Sequence, residues 1–588
     1  LERRIESSPP GLCPVDMARA FLELCHAQTC GKCVPCRIGL GQLNNFIREV
    51  LDGKATMKTL DIMEQTALSI MESADCAIGY EAANMVYKGL IGYRDDYVEH
   101  IQNGRCTCTY NQPVPCVSLC PAHVDIPGYV ALVGEGRYAD AIRLLRKDNP
   151  FPTTCGFICE HPCEARCRRN MVDDSINIRG LKRVAADFAG EVDPPQCAPD
   201  TGKKIAILGG GPGGLSAAYY LQLMGHQTTV YEMLPKLGGM LRYGIPNYRL
   251  PKDRLDDDIR AILKTGVQVK NGLKIGQDIT IQQLRQEYDV VLITIGASTD
   301  KKLGLENEDA DGILSAVQFL RNVGKNQIMD LTGKEVAVIG GGNVSMDAVR
   351  TAKRLGAKKV SIVYRRRTAD MTALPAEIEG AVAEGIEVLT LKAPSRIDTD
   401  ENGHVSGIYV TPQMISKIKD GRASVCPTGE EDFLIPCQTL IVAIGQDIES
   451  EHFAEAGVPV SRGKIMTERY GGFDNIPGVF AGGDCASGPA SVIKAIAASK
   501  VVAANIDEYL GFHHIISCDV EIPEPRLSDR EPCGRVELTE REACSRVCDF
   551  EGVENCMTEA EAKQESHRCL RCDHFGYGIF KGGRKEKW

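Results

Sequence analysis

The sequence predicts an α/β body made of two interleaved strand–glycine-loop–helix units, preceded by two mainly helical, cysteine-rich domains. Three observations predict it. Glycine loops follow short apolar strands at Lys204–Leu208 and Val336–Ile339. Apolar runs such as Val290 to Ile295 are short enough to be strands buried in a parallel sheet. The 25 cysteines are uneven: six precede Cys106 and eight fall from Cys106 to Cys167, with only Cys426 and Cys437 between Cys197 and Cys485.

The chain of 588 residues is too long for one core, since single cores rarely exceed ~250–300 residues. Its divisions are read as 1–100, 101–195, 200–330 with 440–515, 331–439, and a cysteine-bearing tail over 516–588. Glu191–Gln196, with its two prolines, reads as a linker. A net charge of −11 and a pI of about 5.6 argue against a nucleic-acid partner, which needs a basic face, and against an anionic membrane surface. No apolar run reaches the ~20 residues of a membrane span. No signal-peptide core follows Leu1–Arg4, so a cytoplasmic location is expected. In a reducing compartment, clustered cysteines read as metal or iron–sulfur ligands rather than disulfides.

In the first domain Cys30, Cys33 and Cys36 form a Cys-x2-Cys-x2-Cys run, and Cys76 is the best fourth thiolate. Such runs let thiolates converge on one inorganic core. A structural zinc is the competing reading, although zinc favours two separated pairs. Between Cys36 and Cys76 the spacing of Leu40, Leu43, Phe46, Ile47 and Val50 predicts helix. Residues 29–39 with Cys76 resemble the cluster-binding region of the NADH-binding flavoprotein subunit of respiratory complex I and related hydrogenases. The resemblance covers about residues 20–100 and implies a [4Fe–4S] relay.

The second domain carries Cys106, Cys108, Cys116 and Cys120, then Cys155, Cys159, Cys163 and Cys167. Two groups of four suffice for two [4Fe–4S] clusters, and a helical stretch from Val130 to Leu145 is expected to fold the groups together. Cys116 to Pro127 and Cys155 to Cys159 resemble the N-terminal domain of the glutamate synthase small subunit, shared with dihydropyrimidine dehydrogenase and the NADPH-binding subunit of the bifurcating transhydrogenase. That resemblance implies interleaved ligand sets: Cys108, Cys116 and Cys167 with Cys106, and Cys120, Cys159 and Cys163 together. The chain departs from the pattern twice. Its first pair is Cys106-x-Cys108. Lys182 stands where some relatives have a Gln or Glu ligand, which leaves Cys155 to fill that place.

The first glycine loop, Gly209-Gly210-Gly211-Pro212-Gly213-Gly214, opens a helix read as Leu215 to Leu223. Glu232 ends the next strand, where a carboxylate accepts from a ribose hydroxyl pair. The second loop has Gly340, Gly342, Asn343, Val344 and Ser345. Its following strand ends in Arg365-Arg366-Arg367 with no acid, which favours a 2′-phosphate. The first unit is therefore expected to bind FAD and the second NADP(H) rather than NAD(H), with a solvated basic turn as the alternative for the arginines.

The glutamate-synthase resemblance extends over roughly residues 100–510. It implies an isoalloxazine-side loop at Gly239, Met240, Leu241, Arg242 and Ile245, crossover strands ending at Ala297 and Gly445, and a second FAD motif at Gly483 and Asp484. A helix starting at Ser491 and Val492 would point its positive end at the flavin. In the tail, Cys569 and Cys572 form a Cys-x2-Cys pair with Cys533, Cys544, Cys548 and Cys556 upstream, so a fourth cluster, a zinc site or free thiols remain open.

The expected chemistry is an NADP(H)-dependent FAD/iron–sulfur oxidoreductase that turns hydride transfer into single-electron transfer. Its expected setting is a hetero-oligomer with an FMN/NAD-binding flavoprotein, ferredoxin-like subunits and ferredoxin, of the electron-bifurcating transhydrogenase kind. Competing settings are a glutamate synthase small subunit and the reductase of a hydrogenase or formate dehydrogenase. A non-enzymatic scaffold is disfavoured by the intact glycine loops.

Overall fold

The computed structural model describes residues 13–103, 114–419, 422–468, 471–525 and 533–574. Cys106 and Cys108 lie outside the described residues.

The first sheet is wholly parallel in the order β18-β4-β1-β2-β3. Its strands are β1 (Lys204–Leu208), β2 (Gln227–Glu232), β3 (Gln268–Asn271), β4 (Val290–Ile293) and β18 (Val479–Ala481). All four residues of β4 are buried, as expected of a strand covered on both faces. The second sheet, β6-β14-β7-β8-β9, is parallel too. It comprises β6 (Ile313–Ser315), β7 (Glu335–Ile339), β8 (Lys359–Tyr364), β9 (Glu387–Thr390) and β14 (Thr439–Val442).

The second unit thus lies between β4 and β18 in the chain. It begins earlier than residue 331, because β6 pairs with β14 and the helix Ala316–Gly324 packs on this unit's core. The two passages between units run side by side, β5 (Thr299–Asp300) pairing antiparallel with β15 (Gln446–Asp447). An antiparallel sheet of β10 (Lys392–Thr399), β11 (Val405–Lys419), β12 (Arg422–Pro427) and β13 (Phe433–Pro436) extends the second unit. A short hairpin, β16 (Val460–Ser461) with β17 (Lys464–Ile465), precedes β18.

The first domain is helical. Pro14–Ala27, Leu40–Leu51, Met57–Ser73 and Ala77–Gly92 enclose Leu40, Leu43, Ile47 and Val50. Phe46, on the same stripe, is only half-buried. The expected helix from Val130 to Leu145 is two helices, Ile126–Gly134 and Tyr138–Asp148. Gly136 sits between them at φ +71°, a left-handed conformation cheap only for glycine.

The second domain is not a separate body. One apolar core runs from Val124 and Tyr129 through Phe151 to Tyr219 and Ile207 of the first α/β unit. Buried Asp258 accepts from the backbone N–H groups of Thr153 (3.2 Å) and Thr154 (2.7 Å), fixing the start of the helix Pro152–Ile158. The linker is pinned to the body too: Ala198 N–H donates to Leu223 O (2.8 Å) and Thr201 N–H to Gly225 O (2.9 Å).

The tail folds back on the second domain. Its helix Glu559–His567 lies against Ile126–Gly134, where Gly134 leaves room: a Cβ there would stand 2.5 Å from Ser566 Oγ.

Candidate functional site

The first glycine loop is built for close backbone approach. A Cβ on Gly214 would stand 1.9 Å from Gly209 O, and one on Gly209 (φ +113°) 2.5 Å from Thr294 O. The helix it opens, Pro212–Leu223, directs the free N–H groups of its first turn at the loop, the arrangement that holds a pyrophosphate. Glu232 is buried, and its carboxylate accepts from Gly210 N–H (2.7 Å) and Leu234 N–H (2.8 Å). Burial still leaves its acidity weakened.

Gly239, at φ +51°, touches the same loop, where a Cβ would meet Gly211 Cα at 2.8 Å. Met240 and Ile245 are half-buried, and Leu241 and Ala297 are buried. Arg242 is committed elsewhere: its Nε donates to Leu237 O (2.6 Å) and its guanidinium pairs with Asp256. It shapes this loop from behind.

Gly483 (φ +73°) turns β18 into the short helix Asp484–Ser487. Oδ1 of Asp484 is buried without a protein hydrogen bond, and burial pushes the carboxyl up to about 6. A buried acceptor of this kind needs a donor, and the hydroxyls of a ribityl chain fit. Ser491 caps the 18-residue helix Val492–Tyr509.

The second glycine loop lines a cavity of about 780 Å³. Gly340 (φ +146°) lies against Ala443 O, and Ser345, buried at the third small position, keeps the helix Asn343–Arg354 close to β7. Val344 and Gly445 line the same space. Arg365 and Arg366, directly after β8, also line it. Arg365 is exposed, whereas Arg366 Nε is engaged by Ala423 O (2.8 Å). Arg367 pairs with Asp370 and takes no part in the lining.

Among the lining residues that sequence reasoning missed, one comes from the second domain. Glu160, next to Cys159, reaches the second loop and accepts from Asn343 Nδ2 (3.0 Å). Pro489 and Ala490, just past Asp484, complete that wall. No local pattern in the sequence connects Glu160 to Asn343.

Twelve of the described cysteines form three groups. Cys33 and Cys36 come together with Cys30 and Cys76: burial, then the neighbouring Cys33, Cys76 and Cys30 sulfurs, pushes the Cys36 thiol up to about 11. Backbone N–H groups of Cys36 and Asp75 hold Cys33 down. Gly79 allows the approach, since a Cβ there would stand 2.7 Å from Cys36 Sγ. Cys76 is the N-cap of Ala77–Gly92, which favours an anionic centre there.

The second group is Cys120, Cys155, Cys159 and Cys163, gathered around the buried Lys182, whose ammonium form all four thiolates favour. Lys182 therefore stands beside the thiolates as a charge, and Cys155 joins the set. The third group is Cys116, Cys167, Cys569 and Cys572, which line one small cavity. The tail pair thus meets cysteines of the second domain. Cys544 and Cys548 are exposed, and Cys556 lies by Asp187 and Arg183.

Each group offers four cysteine sulfurs and no other donor type, which is the ligand set that [4Fe–4S] centres take, so the residues fit such centres.

Comparison with known proteins agrees along most of the chain. Residues 203–499 match the pyridine nucleotide-disulphide oxidoreductase family. Residues 16–100 match the NADH-ubiquinone oxidoreductase-F iron-sulfur binding region. Residues 92–193 match dihydropyrimidine dehydrogenase domain II, 4Fe-4S cluster. The NADP(+)-dependent formate dehydrogenase subunit beta of Moorella thermoacetica is 32% identical over 96% of this chain and 91% of its own. The NADPH-Fe(3+) oxidoreductase subunit beta of Geobacter sulfurreducens is 32% identical over 96% and 90%. The glutamate synthase [NADPH] small chain of Escherichia coli is 33% identical over 67% and 88%. No described helix is long and apolar enough to cross a membrane. Two dinucleotide loops on parallel sheets, a buried carboxylate directly after β18 and cysteine-rich helical domains ahead of them agree with the matches: the chain belongs to the pyridine nucleotide-disulphide oxidoreductase family, as a flavin-dependent NADP oxidoreductase with 4Fe-4S domains.

Proposed function

We propose that this chain is the NADP(H)-handling subunit of a hetero-oligomeric redox complex, exchanging electrons between NADPH and a chain of iron–sulfur clusters. One observation carries the reading: a single cavity is bordered by the NADP loop, by Pro489 and Ala490 after Asp484, and by Glu160 beside Cys159. When bound, FAD supplies the conversion between two-electron hydride chemistry and the one-electron chemistry of [4Fe–4S] centres.

The residues divide the work. Gly340, Gly342, Asn343 and Val344 hold the nicotinamide pyrophosphate on a helix N-terminus. Arg365 and Arg366 hold the 2′-phosphate, with Arg365 the freer of the two. Each oxygen of Glu232 accepts one backbone N–H, Oε2 from Gly210 and Oε1 from Leu234, and the remaining lone pairs would accept from the FAD ribose. The first turn of Val492–Tyr509 would favour negative charge on a flavin pyrimidine held against it. Pro489, Ala490 and Ile444 give one wall of the cavity an apolar lining.

The finer setting we propose is an electron-bifurcating NADP/NAD/ferredoxin transhydrogenase, in which partners carry an FMN/NAD site and ferredoxin is a second partner. The two near-full-length relatives favour a second setting, since their names place them in a formate dehydrogenase and an Fe(3+) oxidoreductase. Anaerobic NADPH titration of the purified complex tests the shared core: flavin absorbance bleaches and cluster signals appear together. Absence of either sinks the core reading. Coupled turnover separates the settings. In the bifurcating one, NADPH reduces ferredoxin only when NAD⁺ is present; NAD⁺-independent delivery to a formate or metal-reducing partner removes it.

A further inference from the structure

We infer that Cys569 and Cys572 are cluster ligands, completing with Cys116 and Cys167 a [4Fe–4S] site that ties the C-terminal tail to the second domain. The four residues line one cavity with Ile126, Pro127 and Leu570 around them, an apolar shell of the kind that keeps a cluster from water. Neither the matched family regions, which end at residue 499, nor the sequence spacing joins the tail to this group.

The loop geometry points the same way. Two members of each set carry a backbone N–H from two residues on, aimed at the sulfur. In the neighbouring set His161 N–H donates to Cys159 Sγ (3.4 Å) and Ala122 N–H to Cys120. In this set Arg169 N–H donates to Cys167 and Arg571 N–H to Cys569. Such N–H···S contacts stabilise thiolate ligands and tune their clusters.

Arg571 pays for its place in backbone strain, at φ +51°. A non-glycine residue in this region costs of order 1–3 kcal/mol and persists only when its surroundings fix it. Here Asp573 takes its Nε (3.1 Å) and Nη2 (3.0 Å), and Pro523 O takes Nη1 (2.8 Å).

The approach to the cavity is equally fixed. Arg568, fully buried, donates to Glu565 Oε1 (2.8 Å), Asp173 Oδ1 (3.0 Å) and Asp174 O (2.7 Å). Arg168, next to Cys167, bonds to Cys572 and donates from Nε to Tyr93 OH (3.0 Å). It thereby offsets anionic charge at the site and joins it to the first domain.

Ligation exchanges four S–H bonds for four Fe–S bonds and releases four protons, with no net oxidation. The test compares Cys569→Ser/Cys572→Ser with Cys106→Ser/Cys108→Ser, each in the full-length chain purified anaerobically with its complex. Iron and acid-labile sulfide are measured against FAD content. We expect the tail variant to lose about four irons per chain with one set of reduced-state EPR signals, and the Cys106/Cys108 variant to keep them. Loss confined to the Cys106/Cys108 variant, or one zinc per chain in place of the iron, overturns the proposal. A second measurement needs no variant. Trypsin should cut at Arg568 and Arg571 only after chelators strip the iron, and equal cutting of loaded and stripped protein overturns the proposal as well.

Discussion

At the scale of single residues, the choice of nicotinamide rests on two side chains. Arg365 is exposed and lines the cavity, whereas Arg366 spends its Nε on Ala423 O. A charge-assisted hydrogen bond to phosphate contributes about 1.5–3 kcal/mol. Arg365→Ala should therefore raise KM for NADPH by roughly 10–100-fold, since 1.4 kcal/mol is about tenfold. Turnover with NADH, which has no 2′-phosphate, should stay within about twofold of the parent. Arg366→Ala should follow with a smaller effect. Steady-state kinetics with a dye acceptor reads both, and an equal loss for the two nucleotides would show that these arginines hold something else. Arg367 is the internal control, being bound to Asp370.

Among the elements, the joint between the tail and the NADP unit turns on one carboxylate. Glu384 ends the helix Pro375–Ala383 and is buried. It receives Arg350 (Nη2, 2.8 Å), Arg354 (Nη1, 2.6 Å) and, from the tail, Arg546 (Nε, 2.9 Å). Burial works against its charge, but hydrogen bonds from Arg354 and Arg350 hold the carboxyl down to about 2. Its folded pKa lies below the unfolded value near 4.5, so its contribution is complete above about pH 4.5 and is lost as pH falls toward 2. Glu384→Gln removes the carboxylate that the buried Arg354 pairs with, while Arg350 keeps Glu377 and Arg546 keeps Glu540; breaking a buried pair costs about 3–5 kcal/mol in comparable sites. Chemical denaturation of the variant at pH 7 should show that loss, with a shallower dependence on acid between pH 4.5 and 2. An unchanged midpoint would mean that water or Glu540 takes over the three arginines.

This joint also marks where the sequence stops being legible. Buried parallel strands are short apolar runs, so β1, β2, β4, β7 and β8 could be read directly, and the glycine loops with them. The break at Gly136 could not, because the apolar spacing continues across it from Val130 to Leu145. Glu384 looks like any charge on a helix. Its partners come from separate elements, and only tertiary packing removes them from water. The meeting of Glu160 with Asn343, and of Cys569 with Cys116, joins residues with no shared local pattern. Ligand types were legible, and so was the company of Cys30, Cys33, Cys36 and Cys76; the meeting of the tail pair with Cys116 and Cys167 was not.

For the whole molecule, the folding of both ends onto the second domain determines how many centres the chain can carry. The first domain docks through Tyr93, against which Arg166 and Arg168 stack at 6.0 Å. The tail docks through Glu565, Arg568 and Arg535, the last bound to Glu164 (2.9 Å). Both contacts converge on the loop that carries Cys163 and Cys167. With Cys569 and Cys572 drawn into that group, the remaining tail cysteines have no common centre. Cys544 and Cys548 are exposed, Cys556 is beside Asp187, and Cys533 hydrogen-bonds to Gln564 O. A fourth cluster therefore lacks a ligand set among the described residues, and three four-iron centres imply about 12 irons and 12 sulfides per FAD. Anaerobic iron, sulfide and flavin analysis on one preparation checks this. A value near 16 would require a separate tail cluster and hence a rearrangement of Cys544 and Cys548. A value near eight would mean that one of the three cysteine groups holds no iron, and the single-group variants would then identify which.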